Sequence, residues 1–139
     1  MSVTFNLQDL NPGTDFEYPG GATVKIRMPD TDTMSLIQKK SATKKAEFKS
    51  AEKGQPLQRI EWLDFQDEDF RKLYWDYIIV SWTGFNDSNG NEISCTTENK
   101  LLLMGKSNEF ASFVNKSLET LRKDFEKKQE DASKNSEIS

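Results

Sequence analysis

The stretch from Tyr77 to Met104, YIIVSWTGFNDSNGNEISCTTENKLLLM, constrains this chain more than any other. Ile78, Ile79 and Val80 lead through Trp82 and Phe85 into Asp87-Ser88-Asn89-Gly90. Asn and Gly tolerate a positive φ cheaply, so Asn89-Gly90 marks a tight turn that no helix or strand can run through. Ile93 and Cys95 then alternate with polar residues, and Thr96-Thr97-Glu98 opens Leu101 to Met104. A Thr hydroxyl can accept from the free N–H groups of a first helical turn, and a Glu there complements the helix dipole. The predicted order is apolar segment, turn, short extended piece, capped helix. Trp82, Gly84, Phe85, Asn89 and Gly90 are its structural anchors.

Before this stretch the hydrophobic period is two. Val3, Phe5 and Leu7 alternate, with Leu10 following, a pattern compatible with an edge strand. Phe16 to Met28 reads as a β-hairpin around Pro19-Gly20-Gly21, with Val24, Ile26 and Met28 on one face of the second arm and Thr23, Lys25 and Arg27 on the other. After Pro29 the period changes to that of helices. Asp32 or Thr33 caps a helix through Met34, Leu36 and Ile37. Lys39 to Lys53 reads as a solvated helix face running into a linker at Glu52 to Pro56, because Glu47 and Glu52 dilute its charge and no aromatic residues interleave to stack on bases. Leu57 to Phe65 reads as a further strand. Asp64 or Asp67 then caps a helix carrying Phe70, Leu73, Tyr74, Tyr77 and Ile78, and helix capping accounts for the acidic cluster Asp64, Asp67, Glu68 and Asp69 better than a metal site does. The last helix carries the stripe Phe110, Phe113, Val114, Ser117, Leu118, Leu121 and Phe125.

These readings predict one α+β domain over 1–128, with a small N-terminal antiparallel β-hairpin layer packed on helices near 33–47, 67–80, 97–105 and 108–128. Within it, 1–30 is the hairpin region, 31–56 a Lys-rich helix and linker, and 57–128 a helical half containing the Trp82–Gly90 turn. Residues 129–139 are predicted to be a disordered polar tail.

Charged residues make up 30% of the chain and its net charge is −4, a balance that argues against nucleic acid as the partner. The start lacks the basic and apolar regions of a signal peptide, and no apolar run approaches the ~20 residues that span a bilayer. A soluble intracellular protein is therefore expected. Its single cysteine, Cys95, fits a reducing compartment as a small buried hydrophobe. There is no histidine, which removes the commonest general base and metal ligand. With no phosphate-cradling Gly loop and no paired-carboxylate motif either, neither an enzyme nor a metal or cofactor site is expected.

The pattern Trp82-x-Gly84, Asp87-x-x-Gly90, then Cys95-Thr96-Thr97-Glu98-Asn99-Lys100-Leu101-Leu102, resembles the tail assembly chaperones of long-tailed bacteriophages and prophages. Phe110 and Phe113-Val114, followed by a charged helix, are similar to the same family. The resemblance covers roughly the last half of the chain. It implies a binding protein of the host cytoplasm, absent from or minor in the mature virion, that shields the tape measure protein while a tail tube forms around it. The tail tube protein is implied as a second partner. Amphipathic helices offer grooves to other helices, so Phe110, Phe113, Leu118, Leu121 and Phe125 are partner-binding candidates, although a core stripe has the same spacing. The family is commonly made in two lengths by a programmed frameshift, and Ser133-Lys134-Asn135 can be encoded by a slippery heptamer. The alternative is a structural tail or neck subunit retained in the virion, joined through edge pairing of the hairpin Phe16 to Met28.

Overall fold

The computed structural model describes residues 2–49, Gly54, 56–65 and 67–138. The expected hairpin forms at the N-terminal end: β1 (Thr14–Tyr18) pairs antiparallel with β2 (Ala22–Ile26), Phe16 opposite Val24 and Tyr18 opposite Ala22. Ala22, Val24 and Ile26 are buried while Thr23 and Lys25 are half-exposed, so the period of two is the period of the sheet. Residues 2–13 form no strand; their exposed apolar side chains sit beside a turn in which the Asp9 N–H donates to the Asn6 carbonyl.

The second neighbour of β2 is a strand the sequence concealed inside a helix. Helix α2 (Asp67–Ile78) stops two residues short of the expected end, and β5 (Ile79–Thr83) pairs antiparallel with β2, in the order β1-β2-β5. Val24 lies opposite Trp82 and Ile26 opposite Ile79, so β5 carries one extra residue in the span that faces Val24 to Ile26. This bulge brings Ile79 and Trp82 to the same face although they are three apart, and both are buried. The sheet and helices together make the expected α+β fold.

The remaining differences have local or pairing causes. Helix α1 (Thr31–Ser41) is capped by Asp30, whose Oδ1 accepts the Thr33 N–H at 2.7 Å, in place of Asp32 or Thr33. The helix ends at Ser41, six residues before the expected boundary. Ser41 Oγ donates to the Ile37 carbonyl at 2.7 Å, and the Lys-rich segment enters strand β3 (Ala42–Lys49). Its partner is β4 (Gln58–Phe65), in register from Ala42 opposite Phe65 to Lys49 opposite Gln58. Long-range pairing has overridden the helix propensity of Lys, Ala and Glu. The linker expected at Glu52–Pro56 falls largely outside the described residues, as do the side chains of Asp64 and Asp67.

Helix α3 (Thr97–Lys106) is capped as expected, Thr96 Oγ1 accepting the Asn99 N–H at 3.2 Å. Ser107 ends α3 through its N–H to the Leu103 carbonyl and opens α4 (Asn108–Ile138) by accepting the Phe110 N–H on its hydroxyl. One residue thus makes the corner between the last two helices. Where the sequence predicts disorder over 129–139, α4 continues to Ile138. Lys, Gln, Glu and Ala dominate its last turns and no Gly or Pro interrupts them.

The core lies between the three-stranded sheet and α4. Val24, Ile26, Ile78, Ile79, Trp82, Phe110 and Val114 form one buried cluster, with α2 packed between α1 and α3. Trp82 meets Phe85 and Phe110 edge-on at 5.6 and 5.9 Å, and Tyr18 meets Phe113 at 4.8 Å. These are the arrangements the ring quadrupoles favour.

Candidate functional site

The anchors of the Tyr77–Met104 stretch hold the sheet to its returning loop. Trp82 is 5% exposed, and its Nε1–H donates to the Ile93 carbonyl at 2.7 Å. Phe85, half-buried, accepts the Ile93 N–H on its carbonyl at 2.8 Å, so Ile93 is gripped from both sides. Gly84 has φ +88°, and a Cβ there would sit 3.1 Å from the Ala22 Cα, so any side chain would be strained and crowded. Asp87 organises the turn beyond: its Oδ1 accepts the N–H groups of Asn89 and Asn91, both at 2.9 Å, and its carbonyl accepts from Gly90. Gly90 takes the positive φ of the turn, at +82°. Asn89 is exposed on its rim.

The segment Cys95 to Leu102 clamps α3 to α2. Lys100 is buried, and its Nζ reaches the Asp76 carbonyl at 3.1 Å and Asp76 Oδ1 at 3.2 Å. Thr97 Oγ1 donates to the same carboxylate oxygen at 2.6 Å. Partial burial pushes the Asp76 carboxyl up, but hydrogen bonds from Thr97 and Lys100 outweigh it and hold the group below its ordinary value. Beside them, burial raises the Cys95 thiol despite the opposing pull of Lys100 and the Trp82 backbone, which favours the protonated, unreactive form.

The five residues proposed on the last helix are not equivalent. Phe110, 2% exposed, belongs to the core, one turn from fully buried Val114. Phe113, Leu118 and Leu121 pack against that core while remaining half-open, and Phe125 is 54% exposed. Val114 and Ser117 are buried, Leu118 and Leu121 half-buried and Phe125 exposed, so this face of α4 opens toward its C-terminal end. Two grooves flank this face on either side of Met28. The larger, ≈ 570 Å³, has Leu121 and Phe125 on one wall and Leu10, Phe16 and Met28 on the other. The second, ≈ 400 Å³, lies between Met28, Pro29 and Tyr74 and the helix at Leu118 and Arg122. Phe113 lines a separate hollow of ≈ 210 Å³ with Tyr18 and Pro19.

Residues that the sequence reading did not propose for the site hold the chain beside these grooves. Arg27 lies over the Tyr77 ring, 3.7 Å from its centroid, and its Nε–H donates to the Tyr77 carbonyl at 2.8 Å. Asn11 donates through Nδ2 to the Met28 carbonyl at 2.7 Å and to the Tyr77 hydroxyl at 3.0 Å. That hydroxyl donates to Asp30 Oδ2 at 2.8 Å. Four chain segments are knotted here, which fixes the backbone of Met28 between the grooves. An Arg at the end of the hairpin's second arm was the one hint of it in the sequence.

Among the described residues, no group of three or more acidic or thiol side chains lies close enough together to hold a metal ion. No described helix is long and apolar enough to cross a membrane. The larger groove presents apolar side chains from Leu10, Phe16, Met28, Leu121 and Phe125.

No curated protein and no solved structure matches the chain. A family model described as YdaY prophage protein matches residues 31–135, about three quarters of the length, leaving the β1–β2 hairpin outside the matched span. Helices α1 to α3, all of α4 but its last three residues, the clamp at Asp76 and Lys100 and the open face of α4 fall within it. By this match the chain belongs to the YdaY prophage protein family.

Proposed function

We propose that this prophage protein is a tail assembly chaperone, which binds and shields the tape measure protein in the host cytoplasm and is absent from or minor in the finished virion. The observation that carries this reading is the graded burial of α4, from enclosed Phe110 to exposed Phe125, beside two grooves that share Met28. An amphipathic helix laid along such a face places its apolar residues at i, i+3, i+4 and i+7 into successive hollows. The tape measure protein, long and helical, carries stripes of that kind. The prophage family and the resemblance over the last half of the chain support the same role. The tail tube protein is the second partner proposed. Binding is proposed rather than catalysis, since Cys95 is a raised thiol and the chain has no histidine.

The test is co-expression with the tape measure protein of the same prophage. The parent chain is expected to keep that protein soluble and to co-purify with it. Phe125→Asp changes an exposed residue, so stability should move by less than about 1 kcal/mol, while capture weakens about tenfold or more. Equal capture by the variant removes α4 as the binding face.

The β3–β4 pair, which among the described residues has no third strand, favours one competing account, a tail or neck subunit that stays in the particle and joins its neighbours by strand pairing. Mass spectrometry of purified particles separates the two: stoichiometric amounts support the subunit, absence supports the chaperone.

A further inference from the structure

The β3–β4 hairpin stands apart from the three-stranded sheet. Its strands pair along eight positions, and among the described residues that sheet holds these two strands alone. A two-stranded ribbon is marginal in water, and a third or fourth strand is the usual remedy. Among the described residues no further strand pairs with either outer edge, and a strand edge of this kind can accept another chain. The hairpin also exposes apolar side chains, with Phe48 at 66% and Ile60 at 44%.

The residues along each edge decide what such an edge accepts. β3 carries Lys44, Lys45 and Lys49 against Glu47 alone, so two copies of it laid together would gather like charge. In β4 the triplet Arg59-Ile60-Glu61 is complementary to itself under a two-fold rotation. In an antiparallel register centred on Ile60, Arg59 of one copy faces Glu61 of the other, Glu61 faces Arg59, and Ile60 faces its own equivalent. Arg59 and Glu61 share one face of the strand, with Nη2 and Oε1 3.2 Å apart, so the charges needed across the axis already lie side by side. We infer that the chain forms a two-fold dimer through its β4 edges, giving a four-stranded antiparallel sheet of order β3-β4-β4-β3. The contact is isologous and closes on itself. It leaves only the Lys-rich β3 edges outermost, and edge lysines oppose further strand addition. The dimer stands independently of the chaperone reading, since the grooves of α4 lie on other elements.

The experiment uses the full chain at several concentrations in sedimentation equilibrium, with circular dichroism to verify folding. A monomer–dimer equilibrium is expected. Arg59→Glu and Glu61→Arg each place two like-charge pairs across the axis and should weaken the dimer about tenfold or more. The double exchange recreates opposite charges and should return affinity to within about threefold of the parent. In a Cys95→Ser background, Ile60→Cys should cross-link to itself on oxidation or with a short bis-maleimide. Arg59→Cys should cross-link only when mixed with Glu61→Cys. A chain that stays monomeric overturns the proposal, as does a dimer whose affinity ignores both charge reversals or whose Ile60→Cys form fails to cross-link.

Discussion

Replacing Trp82 by Ala tests whether the β2–β5 pairing and the core are one structure. The indole is 5% exposed, lies opposite Val24, packs edge-on against Phe85 and Phe110, and donates to the Ile93 carbonyl at 2.7 Å. Truncating a buried Trp costs about 3–5 kcal/mol through lost transfer energy and the cavity left behind. The orphaned Ile93 carbonyl adds toward the low end of about 1–3 kcal/mol, because Ile93 is only half-buried and water can reach it. Together these cost about 4–6 kcal/mol, and an unfolding entropy of about 2 cal/mol/K per residue makes this a fall in Tm of roughly 14–21 °C. The total stability of a domain is only about 5–15 kcal/mol, so the variant should be near its limit at physiological temperature. Trp82→Phe keeps the ring and loses the donor, and should cost about 1–2 kcal/mol. Thermal unfolding followed by circular dichroism measures both. A Trp82→Ala chain melting within about 2 °C of the parent would refute the reasoning, as would a Phe variant as unstable as the Ala variant.

Gly84→Ala should cost about 2–3 kcal/mol in chemical denaturation, because it forces a side chain into φ +88° and against the Ala22 Cα. A neutral result would mean that the loop is free to shift. Asp76 is held below its ordinary value of 3.8, so the unfolded chain binds this proton first as pH falls. The stability it contributes is complete above pH 3.8 and is lost on acidification through the lower folded-state value; Asp76→Asn should flatten that part of a Tm-against-pH curve. Truncation after Lys128 removes residues exposed from Gln129 to Ala132 and keeps every residue of the larger groove. Tm should change by less than about 2 °C, and a larger loss would show that the end of α4 supports the fold.

The hairpin Thr14 to Ile26 was legible because alternation and a Pro-Gly-Gly turn state the same answer locally. The Thr96 cap was legible for the same reason. β5 was not, and the bulge explains why. Ile78, Ile79 and Trp82 are all buried, and a spacing of one and then three reads as the continuation of a helix. Only pairing with β2 makes it a strand. β3 was hidden differently: Lys, Ala and Glu carry helix propensity, and the partner that overrides it begins at Gln58, nine residues beyond Lys49. On α4 the stripe itself was visible in full. Its division into an enclosed part at Phe110 and an open part at Phe125 depends on what packs over each turn in the folded chain, which no periodicity encodes. The contribution of Met28 and the Asn11–Tyr77 knot to the groove walls is likewise a product of tertiary contact.

Amide hydrogen exchange on the chain alone and in complex with the tape measure protein tests the central claim most directly. Exchange of exposed helical backbone slows when a partner covers it. Added protection is expected on α4 from Phe113 to Lys128 and on the segment around Met28, with little change over the buried turn at Phe110. Protection confined to the β3–β4 hairpin, or no protection at all in a mixture that contains both proteins, would contradict the account.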